Sequence, residues 1–299
     1  MTESFRSGYV AIVGPPNVGK STLLNRLLGQ KLAIVSPKPQ TTRNRLWGIL
    51  TFPHAQMVFL DTPGIFRPGY PLQKTMVETA IRALGEADLA LVMFEATGGR
   101  GADEERILGL LSQGGPAALL AINKVDLVAD KKQILPLIDR YHRTGLFREI
   151  VPISALNGVG VEDLVATLTG LLPEGPQYYP EDMITESTER FLVAEVIREK
   201  VFLRTGDEIP YSAAVKVDQY KDRGKSLYIS AAVYVERDSQ KAIVIGQGGS
   251  KLKEIGQLAR EELEAETGKK VYLDLWVKVR RKWRHKTVDL RFFGYDGRR

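Results

Sequence analysis

A chain of 299 residues is longer than one compact core usually serves, so two domains are expected. Its 43% hydrophobic and 26% charged residues describe an ordinary globular protein, and no apolar run approaches the roughly 18–20 residues that span a bilayer. The complete lack of cysteine excludes a disulfide framework and thiolate metal sites, and with an N-terminus unlike a signal peptide it fits a cytoplasmic protein. The net charge of +6 is unevenly placed: residues 181–299 hold 24 Lys+Arg against 20 Asp+Glu, and Val277–Arg299 alone holds nine basic residues against two acidic. A basic end points to a polyanion, either nucleic acid or an anionic membrane surface.

In chain order the first strand is Tyr9–Val13, and directly after it stands GPPNVGKST. The run Gly14–Ser21 fits G-x-x-x-x-G-K-[ST], with a helical stretch following. Glycines let the backbone turn its N–H groups inward onto phosphate oxygens, and the helix adds its positive end. The expected nucleotide contacts here are Gly14, Pro15, Pro16, Asn17, Val18, Gly19, Lys20, Ser21 and Thr22. Lys20 would reach the β- and γ-phosphates and Ser21 would ligate Mg²⁺. QTTR at 40–43 supplies a second Mg²⁺ hydroxyl, with Thr42 favoured over Thr41.

The strand Gln56–Leu60 runs into DTPG. Asp61 is placed to hold Mg²⁺ through a water, Gly64 to meet the γ-phosphate, and Thr62 and Pro63 complete the loop. Many GTPases carry a glutamine after that glycine to orient the attacking water, but here the residue is Ile65. Asn17 resembles the asparagine of NVGKS GTPases in which a potassium ion sits beside the phosphates. The expected hydrolytic set is therefore Lys20, Thr42, Gly64 and Asn17, with slow intrinsic turnover. Arg43 and Arg45 read as ordinary loop arginines, with positive charge in cis as the lesser alternative.

After strands Leu89–Phe94 and Ala117–Ile122 comes NKVD, Asn123 to Asp126. A carboxylate at a strand's C-terminal end accepts two hydrogen bonds from guanine, whereas adenine would leave it unpaired. Asn123 would tie loop and base together, Lys124 lie along the ring, and Val125 sit between them. Past strand Ile150–Ile153, the segment Ser154, Ala155, Leu156 offers a backbone N–H, such as that of Ala155, to guanine O6. Strand–helix alternation throughout predicts an α/β P-loop G domain, a mostly parallel sheet with helices on both faces, over residues 1–172.

Residues 173–183, rich in proline, read as a linker. The order then changes to a helix 187–203, strands near 211–220 and 226–236, a helix 251–267 and a strand 270–280. Between the last helices lies IVIGQGGSKLKEIG, with G-x-x-G at Gly246–Gly249. This order resembles the α+β type II KH domain, predicted for 184–299 with its basic tail. In such domains the G-x-x-G loop clamps the backbone of about four nucleotides along an apolar groove. Ile245, Gly246, Gln247, Gly248, Gly249, Lys251 and Lys253 are the RNA-binding candidates, and Ile243 and Val244 further groove residues. Trp283, Phe292, Phe293 and Tyr295 are either base-stacking rings or core.

Together GPPNVGKS, QTTR, DTPG, NKVD, SAL, VIGQGGSKLKEIG and LDLWVKV resemble the bacterial Era GTPase family, from Tyr9 to about Tyr295. The resemblance implies a monomeric protein that binds 16S rRNA near its 3′ end and assists maturation of the 30S subunit. It implies a cytoplasmic protein, with weak peripheral contact at the inner membrane as a further association. Family loops often carry a basic residue where Pro15 stands and a lysine where Gly248 stands. The competing readings are a pure RNA-binding module that senses GTP/GDP ratio, a membrane-surface regulatory GTPase, and another ribosome- or tRNA-related GTPase.

Overall fold

The apolar runs of the first half become the middle of one six-stranded sheet, in a computed structural model that describes residues 4–36, 38–98 and 101–295. Its strands are β1 (Arg6–Val13), β2 (Leu46–Phe52), β3 (Ala55–Asp61), β4 (Leu89–Glu95), β5 (Ala117–Asn123) and β6 (Phe147–Pro152), in spatial order β2-β3-β1-β4-β5-β6. β3, β1, β4, β5 and β6 are parallel, whereas β2 runs antiparallel to β3. Every residue of β3 is buried, as a strand covered on both faces requires. β2 escapes the sequence reading because Gly48 interrupts its apolar run. The backbone there must approach α1 (Lys20–Leu28) closely: a Cβ on Gly48 would stand 2.6 Å from Leu24.

Helices α1, α2 (Pro71–Glu86), α3 (Ala102–Ser112), α4 (Ile134–His142) and α5 (Val161–Leu171) cover the sheet. One apolar layer joins Leu23, Leu24 and Leu27 of α1 to Leu164 and Leu168 of α5. The other joins Ala80 and Leu84 of α2 to Ile107 and Leu108 of α3. The stretch after α5 is bonded back along the sheet rather than hanging free. Ser7 N–H donates to Pro173 at 3.1 Å, Tyr178 and Tyr179 N–H donate to Gln56 Oε1, and Ile49 N–H donates to Ile184 at 2.8 Å.

Beyond it, α6 (Glu189–Arg204) and a one-turn helix α7 (Ile209–Ser212) lead into β7 (Ala214–Asp222), β8 (Ser226–Val235) and, after two further helices, β9 (Lys270–Val279). The sheet order is β7-β8-β9, antiparallel then parallel. The helices α8 (Asp238–Ile245) and α9 (Ser250–Thr267) flank the G-x-x-G turn, and a short α10 (Thr287–Phe292) closes the described chain. Residues 211–213 finish a helix rather than start a strand. The last residues of the basic tail, 296–299, lie outside the described residues.

A separate apolar cluster joins the two halves. Phe66, Leu72, Met76 and Val77 of the first pack with Ala214, Trp283, Leu290 and Tyr295 of the second. Trp283 is fully buried and donates from Nε1 to the Ser212 carbonyl at 2.8 Å, and Tyr295 is 5% exposed. The tail aromatics therefore resolve as core and half-buried packing, since their cluster is what seats the tail against α2. No helix among the described residues is long and apolar enough to cross a membrane.

Candidate functional site

The loop between β1 and α1 is shaped by backbone that only particular residues tolerate. Asn17 stands at φ 62° and Gly19 at φ 102°. A side chain at Gly19 would meet Asn123 Nδ2 at 2.4 Å, and one at Gly14 the Met93 carbonyl at 2.5 Å. No side chain caps α1, so its first N–H groups are left for an anion. Lys20 is buried and donates to the carbonyls of Gly14 (3.2 Å) and Pro15 (2.9 Å), which hold its ammonium across the loop. Pro16, Asn17, Gly19, Ser21 and Thr22 line a cleft closed opposite by Gln40–Thr42 and Gly64, while Val18 turns into the core.

Three oxygens gather beside Lys20. Ser21 Oγ lies 2.9 Å from both Thr42 Oγ1 and Asp61 Oδ2, and Thr42 Oγ1 donates to the same carboxylate at 3.2 Å. Asp61 Oδ1 is buried with no hydrogen-bond partner among the described residues. Burial pushes the Asp61 carboxyl up to about 6, while Lys20, Ser21 and Thr42 pull it the other way. Burial likewise pulls the Lys20 ammonium down to about 8, against the charge of Asp61. Two hydroxyls and a half-satisfied buried carboxylate are a hard-oxygen donor set that suits Mg²⁺. Thr42, rather than Thr41, joins this set.

In the DTPG loop, Thr62 is a framework residue: its hydroxyl donates to the Ile12 carbonyl at 2.7 Å. Ile65 N–H bonds Gly14 O at 3.0 Å, which seats the loop, Pro63 included, against the phosphate cradle. A Cβ on Gly64 would stand 2.8 Å from Pro16 N, so no other residue fits that approach. The Ile65 side chain is fully buried in the core against Ala80 and Leu84, so this position faces away from any attacking water.

Asn123 is the hub of the base side. It is 2% exposed, donates from Nδ2 to Val18 O at 2.7 Å, and accepts at Oδ1 from Ala155 N–H at 2.9 Å. The expectation that Ala155 N–H faces guanine is therefore corrected, because the Asn123 carboxamide already holds that donor. Lys124 takes a left-handed φ of 65° and pairs with Glu95 at 2.7 Å, and Asp126 is exposed just beyond. Val125 is buried, and Ser154 is fully buried with its Oγ accepting from Asn157 N–H at 3.1 Å; both are scaffold. Exposed Leu156 stands at the turn. Arg26 of α1 clamps the carbonyls of Ala155 and Leu156. Sequence reasoning missed it, since nothing local links residue 26 to 155.

In the second half, Gly246 (φ 74°, ψ 173°), Gly248 (φ 57°) and Gly249 (φ 81°) build the turn. A Cβ on Gly246 would press on Lys251 Cβ at 2.7 Å. α9 starts at Gly249 without a side-chain cap, giving a second open helix N-terminus. A groove runs from Gly249 between α9 and β9, with Lys253, Gln257 and Arg260 on one wall and Val271–Leu275 on the other. Gln257 and Arg260 were missed, although their helical spacing from Lys253 puts all three on one face. Gln247 is exposed and Ile245 half-buried. Ile243 is 45% exposed, but Val244 is fully buried and belongs to the core, not the groove.

The segment that carries Thr42 is docked on the second half. Arg43, 3% exposed, donates to the carbonyls of Ala213 (2.7 Å), Pro210 (2.8 Å) and Tyr211 (3.2 Å). Its guanidinium lies 5.8–5.9 Å from the ring centres of Phe202, Trp283 and Tyr295. Neither sequence reading of Arg43 survives: it is an anchor between the halves. Arg45 instead pairs with Glu86 and lies over Trp47. Arg198 of α6 donates to the Thr41 carbonyl, Lys38 to that of Phe202 at 2.7 Å, and Lys31 pairs with Glu199 and Glu262.

Comparison with known proteins agrees with this geometry. Residues 9–124 match a family model described as 50S ribosome-binding GTPase, and residues 208–284 match the KH domain. The chain is 52% identical to the GTPase Era of Geotalea uraniireducens, over 99% of this chain and 100% of that protein. It is 50% identical to that of Geobacter metallireducens, over 97% and 98%. A crystal structure of Era in complex with MgGDPNP and nucleotides 1506–1542 of 16S ribosomal RNA superposes with a TM-score of 0.94 at 47% identity, covering 97% of this chain and 99% of that one. A variant of Aquifex aeolicus Era bound to GDP and AlF4⁻ superposes equally well, at TM-score 0.94.

Proposed function

The chain belongs to the Era family of GTPases, and from that premise we propose that it is a GTP-driven switch whose second half binds 16S rRNA near its 3′ end and assists 30S subunit maturation. It hydrolyses GTP to GDP and phosphate. In this reading residues 1–172 form the G domain and 184–299 the KH domain, working as a monomer in the cytoplasm. The complex of the similar Era with MgGDPNP and 16S rRNA supports both ligands.

Lys20 and the backbone N–H groups of Asn17–Ser21, past the two prolines that have none to give, hold the β- and γ-phosphates. Ser21, Thr42 and, through a water, Asp61 hold Mg²⁺, which when bound neutralises charge developing on the phosphate oxygens. The Gly64 N–H contacts the γ-phosphate, and Asp126 selects guanine. With Ile65 turned into the core, that position orients no attacking water, and Asn17 is the residue that would hold a potassium ion beside the phosphates, whose charge would offset the negative charge developing there.

The observation that carries the switch is the path from Thr42 to the second half. Thr42 joins the metal set, and the next residue is buried among Ala213, Trp283 and Tyr295. Ordering of Thr42 by Mg·GTP must therefore act on the KH domain's seat, and its release on hydrolysis must do the same.

The test uses Gln247→Asp with Gly248→Asp. Both positions are exposed, a Cβ placed on Gly248 would have nothing within 4 Å, and the left-handed φ of 57° there suits aspartate. A 16S 3′-end oligonucleotide should bind the double variant about tenfold or more weakly, with two carboxylates facing phosphate, while GTP turnover without RNA persists. Wild-type RNA affinity in the folded variant would refute the groove assignment. Equal RNA affinity of the wild type with GDP and with a non-hydrolysable GTP analogue would refute the switch.

A further inference from the structure

The G-x-x-G groove uses one side of the β7-β8-β9 sheet, and the other side is dressed for the same class of ligand. Along β9 the residues alternate: Val271 and Val277 enter the core with α6 and α9, while Tyr272 and Trp276 point to the open face at 58% and 61% exposure. These two rings stand on one edge strand, about 13 Å apart at 3.3 Å per residue. Register sets a cation in each row: Tyr272 pairs with Tyr228 and, across β8, with Lys221, and Trp276 pairs with Ala232 and then Lys216. Lys278 adds a third, its exposed pair with Asp218 at 3.4 Å being too open to neutralise it. The Asp274 carboxylate is engaged by the Tyr228 hydroxyl at 2.7 Å.

We propose that this open face is a second RNA-binding surface, taking unpaired bases on Tyr272 and Trp276 and their phosphates on Lys216, Lys221 and Lys278; this rests on the RNA-binding reading of the groove. Continuity favours it. Residues 271–275 of edge strand β9, Tyr272 among them, form a wall of the groove, so a strand leaving the G-x-x-G turn crosses β9 and arrives on these rings. Rigid aromatic platforms interleaved with cations suit single-stranded nucleic acid, because every base has a stacking face whatever its sequence. A lipid surface would call for a continuous apolar face, which Asp274, Asp218 and the lysines interrupt.

The experiment compares two unpaired RNAs on the intact chain, a tetramer that fills the groove alone and a dodecamer that extends past it. Trp276→Ala and Tyr272→Ala remove exposed side chains and leave the GTP site untouched. Each should weaken the dodecamer about tenfold, in keeping with the stacking of one base, and Trp276→Ala, which lies outside the groove wall, should leave the tetramer unchanged. The dodecamer should also quench tryptophan fluorescence in the wild type and lose most of that quenching in Trp276→Ala, since Trp283 is fully buried and Trp47 lies half-buried on β2 of the other half, under Arg45. Trp276→Phe should restore most of the affinity. A double alanine variant that binds the dodecamer as the wild type does would overturn the second surface while leaving the groove standing. Failure of the wild type to bind either RNA would overturn both. Loss of binding to anionic phosphatidylglycerol vesicles, with dodecamer affinity intact, would reassign the face to membrane.

Discussion

Arg43→Ala is the sharpest test of coupling between the nucleotide site and the second half. The substitution leaves Thr42 in place but takes the donor away from three carbonyls, those of Ala213, Pro210 and Tyr211. At about 1 kcal/mol for each lost partner, plus the ring contacts, the docked arrangement should lose roughly 3–4 kcal/mol, or two to three decades in its equilibrium. Water entering the socket sets the lower end of that range. Because the chain has no cysteine, paired spin labels at Glu149→Cys and Ala265→Cys, both exposed, report the distance between the halves directly. With a GTP analogue the parent should give one narrow distance distribution, and Arg43→Ala a broad one. The dependence of RNA affinity on bound nucleotide should shrink with it, while GDP affinity, set by the phosphate loop and NKVD, stays put. Arg43→Lys keeps the charge without the fork and should fall between. A narrow distribution and an undiminished nucleotide effect in Arg43→Ala would show that the halves are coupled by some other contact.

Three further outcomes are expected. Asp126→Asn should move nucleotide preference from GTP toward xanthosine triphosphate, since each guanine bond to the carboxylate is worth about 1.5–3 kcal/mol; competition binding with both nucleotides decides it. Turnover should rise when sodium is replaced by potassium at equal ionic strength, and Asn17→Ala should abolish the difference, so equal rates in the parent would leave Asn17 as loop scaffold. Burial would raise the Glu262 carboxyl, but hydrogen bonds from Lys200 and Lys31 outweigh it and hold the group below its ordinary 4.5. Such a depressed acid stabilises the fold above that value, and the contribution is lost as pH falls through the lower folded value. Acid titration of the urea midpoint should therefore steepen in the parent relative to Glu262→Gln, and identical curves would remove this ion-pair network from the account.

What could be read from the chain follows the range of the physics involved. The phosphate loop, DTPG and NKVD are legible because each is a local backbone shape ending a strand, and glycine, lysine and aspartate appear where that shape needs them. The strands β1, β3, β4 and β5 are legible as buried apolar runs. β2 was hidden by Gly48, whose reason is the approach of Leu24 from another element. Arg26 on the Ala155 carbonyl, Arg43 in its socket and Lys31 on Glu199 join residues more than a hundred positions apart. Nothing in their own neighbourhoods distinguishes them from solvated arginines and lysines. Ala155 erred the other way: it sits inside a motif, yet its N–H holds the Asn123 carboxamide rather than facing the base.

The bonded stretch after α5 also has a bearing on how the protein avoids sticking to copies of itself. β2 is the outermost strand of its sheet, and an uncovered edge invites pairing with another chain. Here Ile49 N–H is capped by the Ile184 carbonyl and the Trp47 carbonyl by the Thr185 hydroxyl. The tether to the RNA-binding half thus doubles as a selvedge on the nucleotide-binding half. A fragment ending at α5 would expose that hem, and one carried through Thr185 would keep it stitched.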